Sequence, residues 1–567
     1  MSYRRISIKF GGESGQGINT VGKILSKALN KYGFKIFAYR EYPSLIRGGI
    51  ASYQIDFSNK KINSSSRNCN ILLAFTAESV SEYLNLVPDN GIVVYDSKDV
   101  SLSEEQEIQI KKRNISSIFL DSSLIATESG GTEIMSNAVM LGFLWRILKL
   151  DEEFLIKIIL DFFKNKNIDF EAERKCISAG YNSPTFRPEF GEKLQIPKEE
   201  FLKKKSITIT GNDSLASGAL SAGVRAYYAY PMTPATSILK FLGDTSKETG
   251  VLVKQAENEI TAVQMALGSM YMGTRALTAT SGGGFDLMTE TISCSAMSET
   301  PLVIVLSQRV GAGTGVPTWT GAGDLNVALK SGHGEFPRCV IAASDAESSY
   351  TLIQKAFNIA EKYQLPVILL TEKQISESFF TLDALPKNIQ IDRGLEDGTL
   401  RYEITDSGIS PRWLPSKEKR PYLSSSDEHL ESGDSTENSD DIIMMSEKRQ
   451  RKLSTLSEEI PEPKLYGPKD PRITFVGWGS TKNVVLDAIE LGNSINYLHY
   501  EFILPFKGEI LKQLVEEGRR LVLIENNQSG ELGSYIKEQT GYEFNEKLLK
   551  YDGRPFFLED ILDYLKI

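Results

Sequence analysis

Short apolar runs alternate with amphipathic segments over the first third of the chain. The run RISIKF is followed by the loop GGESGQG and then by INTVGKILSKALNKYG, in which apolar residues recur at helical spacing. The runs NILLAF and GIVVYD have the length and composition of buried strands. This alternation of strand and helix predicts one α/β domain over residues 1–185.

The same alternation returns twice further along the chain. Residues 206–375 contain the apolar runs PLVIVL, CVIAAS and LPVILLT, and residues 471–567 contain RITFVGW and RLVLIE. The Pro- and Lys-rich residues 186–205 are expected to form a linker. Residues 376–470 are polar enough for disorder, but PRWLP and the helical MMSEKRQRKLSTLSEEI favour an arm that packs on another element. The pattern therefore predicts three α/β units, a linker and a polar connecting arm.

Composition and charge restrict the class of protein. The 567 residues are 41% hydrophobic and 24% charged, which is ordinary for a globular protein of about three or four domains. A net charge of −10 and a pI near 5.3 argue against nucleic-acid binding. The apolar runs are too short to cross a bilayer, and MSYRRISIKFGG lacks the apolar core of a signal peptide. A cytoplasmic protein is the expectation.

Cysteine and histidine are scarce in this chain. The four cysteines are widely separated, so no Cys-x-x-Cys pair is available for zinc or an iron–sulfur cluster. Scattered thiols are typical of a reducing compartment. Because the chain has only three histidines, we expect catalysis to depend on carboxylates or on a cofactor, and we assign no metal ligand.

The segment YAYPMTPATSIL joins an apolar strand to a helix. Pro231 and Pro234 fix two φ angles, so Thr233 is held between rigid neighbours. Pro234 is expected in the first helical turn, where proline is tolerated. The corner is either a well-formed turn or a site that presents the Thr233 hydroxyl and free helix N–H groups to an anion.

A helix is predicted from about residue 257, and its two carboxylates differ in their surroundings. Glu259 shares a face with Ala262 and Val263, whereas Glu257 shares a face with Thr261. We therefore expect Glu257 to meet solvent and Glu259 to be buried. A buried carboxylate needs a partner, which is either a group of the protein or a nitrogen of a ligand.

Three glycine-rich segments follow apolar strands. TATSGGGFDLM, with Gly282, lets a ligand approach the backbone closely. Arg309 ends a very apolar strand and precedes a loop with Thr318, so it pairs either with a carboxylate of the protein or with one of a ligand. GGESGQG, residues 11–17, lacks the spacing of a dinucleotide-binding loop, which favours a tight turn or a loop that faces another subunit.

These motifs together resemble a known family. Glu259 followed by TSGGG is similar to the pyrimidine-binding domain of thiamine-diphosphate enzymes. YPMTP, QAENEI, QRVGAGTGVPT, SGHGEFPR, PRWLP, LPF and KYDGRPF are similar to the α subunit of 2-oxoacid:ferredoxin oxidoreductases. GGESGQG and YPSLIRGG resemble the γ subunit of that family, here fused ahead of the α part. The resemblance covers nearly the whole chain, in the family's order.

The resemblance implies a fold and a reaction. Residues 1–185 would be a γ-type domain, 206–375 a pyrimidine-binding domain of the thiamine-diphosphate fold, and 471–567 a domain of the transketolase C-terminal type. The family decarboxylates a 2-oxoacid on thiamine diphosphate, or runs the reverse reductive carboxylation. Electrons pass singly through a 4Fe–4S cluster to ferredoxin, and the acyl group passes to coenzyme A. The cluster and the Mg²⁺ at the diphosphate belong to a β subunit, which implies an αβ heterodimer or a dimer of heterodimers.

The resemblance also implies the roles of individual residues. Glu259 would hydrogen-bond N1′ of the cofactor's aminopyrimidine. The residues implied at the cofactor are Glu259, Pro231, Thr233 and Gly282. Those implied at the substrate carboxylate are Thr233, Arg309 and Thr318.

The chain departs from the family pattern around the implied substrate site. Glycine or alanine replaces proline or polar residues that the family often has, at Gly283, Ala312, Gly313, Gly321 and Ala322. The favoured substrate is 2-oxoglutarate, and the alternative within the class is pyruvate or a broad range of 2-oxoacids. Two alternatives come from other classes: a non-catalytic scaffold or sensor subunit, and a dinucleotide-binding dehydrogenase built on residues 11–17.

Overall fold

The computed structural model describes residues 5–44, 49–96, 100–166, 168–192, 194, 196, 205–419 and 421–566. Parts of the YPSLIRGG segment and of the expected linker at 186–205 lie outside the described residues. The strands are β1 (Arg5–Glu13), β2 (Lys35–Glu41), β3 (Ile50–Ser58), β4 (Ile71–Ala74), β5 (Ile92–Tyr95), β6 (Ser116–Phe119), β7 (Ile207–Thr210), β8 (Ala226–Ala229), β9 (Leu252–Gln255), β10 (Ala276–Thr280), β11 (Leu302–Gln308), β12 (Cys339–Ala342), β13 (Pro366–Glu372), β14 (Phe379–Leu382), β15 (Lys464–Tyr466), β16 (Ile473–Trp478), β17 (Ile495–Tyr500), β18 (Phe502–Leu504), β19 (Leu521–Glu525) and β20 (Glu546–Leu549).

The α-helices follow the strands in close alternation. They are α1 (Ile18–Tyr32), α2 (Ala77–Tyr83), α3 (Glu104–Lys112), α4 (Ser122–Glu128), α5 (Ser136–Ile147), α6 (Glu152–Phe163), α7 (Phe170–Tyr181), α8 (Glu189–Glu192), α9 (Gly211–Ser221), α10 (Thr236–Thr249), α11 (Glu259–Tyr271), α12 (Gly282–Asp286), α13 (Thr289–Met297), α14 (Leu325–Lys330), α15 (Ala346–Tyr363), α16 (Lys373–Glu377), α17 (Ser439–Glu459), α18 (Thr481–Glu490), α19 (Glu509–Glu516), α20 (Glu531–Thr540) and α21 (Leu558–Lys566).

The chain divides into two compact units, and the first comprises Met1–Ile209, Ser378–Ala384 and Phe557–Ile567. Its sheet has the order β6-β5-β4-β1-β3-β2-β14-β7. β1 runs antiparallel to β3 and parallel to β4. Strands β1 and β3 are buried along nearly their whole length, as expected for a sheet that is covered on both faces.

The second unit comprises Thr210–Glu377 and Leu385–Phe556 and contains two sheets. The first of these has the order β18-β12-β13-β11-β10-β8-β9, and the second has the order β15-β17-β16-β19-β20. Strands β8 to β13 are parallel, whereas β18 joins β12 as an antiparallel edge strand. The predicted α/β class is therefore confirmed, with three sheets, and the five ranges of the sequence analysis stay a prediction.

From Leu385 onward, the polar arm is part of the second unit and packs on its other elements. In α17, Lys448 and Lys452 are buried and form ion pairs of 2.6 and 2.5 Å with the carboxylate of Glu299. The guanidinium groups of Arg393 and Arg412 reach Glu361 in the same way. Disorder over the described part of the arm is therefore the wrong alternative, because its cations have buried partners.

Candidate functional site

The candidate residues follow four neighbouring parallel strands of one sheet. These strands stand in the order β11-β10-β8-β9. The residues that come just after them are Arg309, Gly282, Thr233 and Glu259. The carboxyl ends of parallel strands meet at one edge, and the chain order reverses beside β8, which is where ligands bind in open α/β sheets. The topology therefore brings the four residues to one edge of the sheet.

The two-proline corner lies between β8 and α10. The helix begins at Thr236, so the expectation that Pro234 occupies the first helical turn is wrong. Pro234 lies in a turn ahead of the helix, which is closed by a 3.1 Å hydrogen bond from the Thr236 N–H to the Met232 carbonyl. Thr233 and Pro231 are half-buried. The corner is a rigid connection that leaves the Thr233 backbone carbonyl available to a neighbour.

That neighbour is Arg309, at the end of β11. Its guanidinium Nη1 donates a 2.9 Å hydrogen bond to the Thr233 carbonyl oxygen. Burial lowers the pKa of Arg309, and the charge of Asp324 offsets part of that change. No carboxylate of the described residues lies within ion-pair distance of this guanidinium. Arg309 therefore keeps the capacity to bind a carboxylate from outside the chain.

Glu259 is the first residue of α11. The Asn258 side chain caps this helix by accepting the Thr261 N–H at 2.9 Å. The Glu259 residue is 3% exposed, and its Oε1 atom has no hydrogen-bond partner among the described residues. Glu257 is exposed and accepts a hydrogen bond from the Thr261 hydroxyl, so the predicted contrast between the two carboxylates is confirmed. A buried carboxylate oxygen without a donor is costly, and it is suited to a ligand that brings one.

The glycine turn after β10 fits closely around Glu259. A Cβ atom on Gly284 would lie 2.5 Å from Glu259 Oε1 and 2.1 Å from Thr280 Oγ1. A Cβ atom on Gly282 would lie 2.9 Å from the Asp324 carboxylate. Any larger residue at Gly284 would occupy the space beside the unpaired oxygen. Gly283 has open space around it, so its departure from the family pattern removes a side chain without closing the turn.

A cavity of about 460 Å³ opens in front of Arg309. Gly282 and Arg309 line this cavity, whereas the other predicted site residues do not. Thr318 is buried in the adjoining loop, and its hydroxyl has no partner among the described residues. The glycine and alanine departures line the cavity, at Gly283, Ala312, Gly313, Gly321 and Ala322.

The sequence reasoning missed two carboxylates, Asp324 in this cavity and Glu372 behind its lining residues. Asp324 lines the cavity, and burial together with the nearby Asp286 raises its pKa to about 6, although Arg309 opposes the change. Glu372, at the end of β13, accepts hydrogen bonds from the Thr320 hydroxyl at 3.1 Å and the Asn526 amide at 3.2 Å. An acidic residue at the end of a buried strand, as in VILLTE, is the signal that would have pointed to Glu372.

The described part of the chain offers neither a metal-binding cluster nor a membrane-spanning helix. Among the residues that the structure describes, no group of three or more His, Cys, Asp or Glu side chains is arranged to hold a metal ion. Over the same residues, no helix has the length and apolar character needed to cross a membrane.

Family profiles match two parts of the chain. Residues 217–448 match the family described as pyruvate flavodoxin/ferredoxin oxidoreductase, thiamine diphosphate-binding. Residues 7–183 match the family described as pyruvate ferredoxin/flavodoxin oxidoreductase. The first match contains the edge of the sheet at which the candidate residues meet.

Individual proteins match over most of the chain. The 2-oxoacid:ferredoxin oxidoreductase subunit alpha of a Sulfolobus species is 30% identical, over 99% of this chain and 96% of that subunit. The 2-oxoglutarate oxidoreductase subunit KorA of Mycobacterium tuberculosis is 26% identical, over 90% of this chain and 84% of that subunit. The structure of 2-oxoglutarate:ferredoxin oxidoreductase from Magnetococcus marinus with 2-oxoglutarate, coenzyme A and succinyl-CoA bound has a TM-score of 0.89 at 27% identity, over 100% of this chain and 99% of that one.

Proposed function

This chain belongs to the 2-oxoacid:ferredoxin oxidoreductase family of enzymes, and from that premise we propose that it is the alpha subunit of a 2-oxoglutarate-oxidising member. The reaction is thiamine-diphosphate-dependent oxidative decarboxylation of the 2-oxoacid to an acyl-coenzyme A, with one-electron transfer to ferredoxin, or the reverse reductive carboxylation. Similarity to 2-oxoglutarate oxidoreductases in sequence and in structure supports 2-oxoglutarate as the substrate.

The observation that carries this proposal is the unpaired Oε1 atom of Glu259. It lies at a helix N-terminus, beside a glycine turn in which a Cβ atom would collide with it. These features fit a thiamine diphosphate site, because the carboxylate can accept a hydrogen bond from the pyrimidine ring and the glycines let the ring approach the backbone. Pro231, Thr233 and Gly282 would complete the surroundings of the ring.

Bound thiamine diphosphate would supply a nucleophilic carbon for the 2-oxo group and accept the electrons released as carbon dioxide leaves. Glu259 would hold a proton at N1′ of the pyrimidine, and its buried setting would strengthen that hydrogen bond. The rigid corner at Thr233 and the guanidinium of Arg309 would orient the substrate carboxylate, with the Thr318 hydroxyl as a further donor. Such orientation accelerates the reaction by reducing the entropy lost at the transition state.

A β subunit is the partner that this proposal requires. It would hold Mg²⁺, the diphosphate and a 4Fe–4S cluster, while coenzyme A and ferredoxin would bind to the assembled αβ heterodimer or its dimer. The name "alpha" of the relatives supports a complex of several subunits. The four cysteines are free, which supports a reducing compartment, and we propose the cytoplasm.

Pyruvate, or a broad range of 2-oxoacids, is the second candidate substrate. Among the described residues that line the cavity, Arg309 is the one cation, whereas Asp286 and Asp324 are both acidic. A single cation suits a 2-oxoacid with one carboxylate. The distal carboxylate of 2-oxoglutarate would need donors from elsewhere in the assembled enzyme.

A substrate panel tests the proposal. The chain is co-expressed with its β subunit without oxygen, and reduction of a viologen dye is followed with coenzyme A and 2-oxoglutarate, pyruvate or branched-chain 2-oxoacids. We expect reduction with 2-oxoglutarate. Reduction with pyruvate alone would make pyruvate the substrate and leave the proposed enzyme class unchanged. No reduction with any acid, from a complex shown to contain thiamine diphosphate and its cluster, would favour a non-catalytic subunit.

A further inference from the structure

The loop between Arg309 and Asp324 has little internal support. Residues 311–316 are exposed. Within the loop, the Val316 N–H donates to the Val310 carbonyl and the Trp319 N–H donates to the Val316 carbonyl, both at 3.1 Å. Because the loop is rich in glycine, ordering it costs more conformational entropy than ordering most other sequences. Support from outside the loop is needed to hold its second half beside the cavity.

A turn at residues 551–554 supplies that support. The Thr320 N–H donates a 3.2 Å hydrogen bond to the Gly553 carbonyl. Gly553 has a φ of +80°, and a Cβ atom there would lie 3.3 Å from Trp319 Cβ. The guanidinium carbon of Arg554 lies 3.4 Å from the centroid of the Trp319 ring. The turn therefore holds the loop at two consecutive residues.

Trp319 lies between two threonines with different surroundings. The Thr320 hydroxyl donates to Glu372 at 3.1 Å and accepts the Gln374 N–H at 3.1 Å, so its position is fixed. Thr318 is 5% exposed, and its hydroxyl has no partner among the described residues. On the side of Thr318, the backbone is restricted by the hydrogen bond from the Trp319 N–H to the Val316 carbonyl and by the stack of Arg554 on Trp319.

We propose that Arg554 is a positioning residue for the 2-oxoacid, which acts through Trp319 to fix the Thr318 hydroxyl in the loop that adjoins the cavity. This inference rests on the proposed function, because it takes Thr318 as a donor to the substrate carboxylate. Arginine suits the role, since its planar guanidinium stacks flat on an indole ring and lysine cannot do so. The Asp552 carboxylate accepts the Arg554 N–H at 2.9 Å and stabilises the turn that carries it.

Steady-state kinetics of the αβ complex test the inference. For Arg554→Ala we expect KM for the 2-oxoacid to rise about tenfold, with kcat within about twofold, because a lost stack of this kind weakens ground-state binding. Arg554→Lys should recover part of the loss. Arg520→Ala, which removes an exposed arginine paired with Glu546, is the matched control and should leave KM unchanged.

A double-mutant cycle distinguishes action through Trp319 from direct contact with the substrate. If Arg554 acts through the ring, Arg554→Ala should add little to the KM of Trp319→Ala. The effect of Arg554→Ala should also be the same for pyruvate and 2-oxoglutarate. Additive effects, or a loss confined to 2-oxoglutarate, would overturn the inference in favour of direct contact with a distal carboxylate. An unchanged KM would overturn it outright.

Hydrogen exchange separates this inference from the proposed function. In Arg554→Ala, the peptide that contains Thr320 should exchange its amide protons at least about tenfold faster than in Arg520→Ala, because the loop is released. This measurement needs no turnover. Unchanged exchange would overturn the positioning role even if the enzyme is active. Faster exchange in a complex inactive toward every 2-oxoacid would support the contact and contradict the proposed function.

Discussion

Two buried carboxylates of the second unit have opposite surroundings. Glu299 is fully buried with Lys448 and Lys452 at 2.6 and 2.5 Å. Burial opposes its ionisation, but these lysines and Arg401 outweigh burial and hold the pKa of Glu299 well below its usual range. Glu259 is almost as buried, yet its Oε1 has no partner among the described residues. A paired buried charge is neutralised within the fold, whereas an unpaired one is suited to a ligand that brings a donor.

The cluster at Glu361 shows that the paired arrangement is a general feature of the arm. Glu361 is fully buried and binds Arg275, Arg393 and Arg412, with N–O distances of 2.7, 2.7 and 3.2 Å. Two of these arginines come from the arm, as do the lysines at Glu299. Ion pairs to two buried carboxylates therefore help to hold the arm in place.

The largest expected effect is a loss of stability when the paired carboxylate of Glu299 is replaced. Glu299→Gln should lower the free energy of unfolding by about 3–5 kcal/mol, because it leaves Lys448 and Lys452 buried without a counter-charge. Denaturant unfolding of the αβ complex measures this. The control is Glu458→Gln, at an exposed residue of the helix that carries Lys448 and Lys452. It should change the free energy of unfolding little. Equal stability of the two variants would contradict the idea that this cluster holds the arm.

The same substitution at the unpaired carboxylate should affect activity instead. Glu259→Gln should lower kcat by about 10²–10³-fold, in the range found for losing one preorganised catalytic group. Its stability should be unchanged or slightly higher, since the variant buries no charge. The measurement is dye reduction with saturating thiamine diphosphate, and Glu257→Gln is the matched control from the exposed face. Near-normal turnover in Glu259→Gln would overturn the assigned role.

The local features of the candidate site could be predicted from the sequence. Helical periodicity was enough to separate buried Glu259 from exposed Glu257, because a helix repeats within a few residues. The sequence also predicts that Arg309 lies at the end of an apolar strand. It likewise predicts that Thr233 and Gly282 follow strands, whereas their common edge comes from the sheet order and the first helical turn begins later than expected.

The rest of the site depends on contacts between distant segments. Asp324 reaches the cavity through a loop with no periodic pattern. The strand-end position of Glu372 marks it as a candidate, but it does not show that Asn526, which follows β19, lies beside it. The stack of Arg554 on Trp319 joins two such segments. The composition of the arm suggested disorder for the same reason, since the carboxylates that neutralise its cations lie elsewhere in the chain.

A smaller effect is expected at Arg309, because its side chain has one described hydrogen bond whereas Glu299 has several partners. Arg309→Ala should raise KM about 10–100-fold for every 2-oxoacid, since each loses a charge-assisted contact. Substrate titrations of the αβ complex measure this. Arg225→Ala, an exposed arginine at the opposite end of β8, is the control. If only the longer acids lose affinity, Arg309 binds a distal carboxylate and the Thr233 corner must be reassigned.

The smallest expected effect comes from the pH dependence of Asp324. Its pKa is raised to about 6, so it gains a proton as the pH falls from 7.5 to 5.5, while a 2-oxoacid stays ionised. Protonation removes a negative charge beside Arg309, and KM should therefore fall by about two- to fivefold over this range. The Asp324→Asn variant should have a lower KM than the wild type at every pH and a flatter pH profile. The variant also separates the effect of Asp324 from that of Glu531, because burial raises the pKa of Glu531 to about 6 as well. An identical slope in the variant would mean that another group opposes the substrate, and the contrast between paired and unpaired charges would then not extend to this cavity.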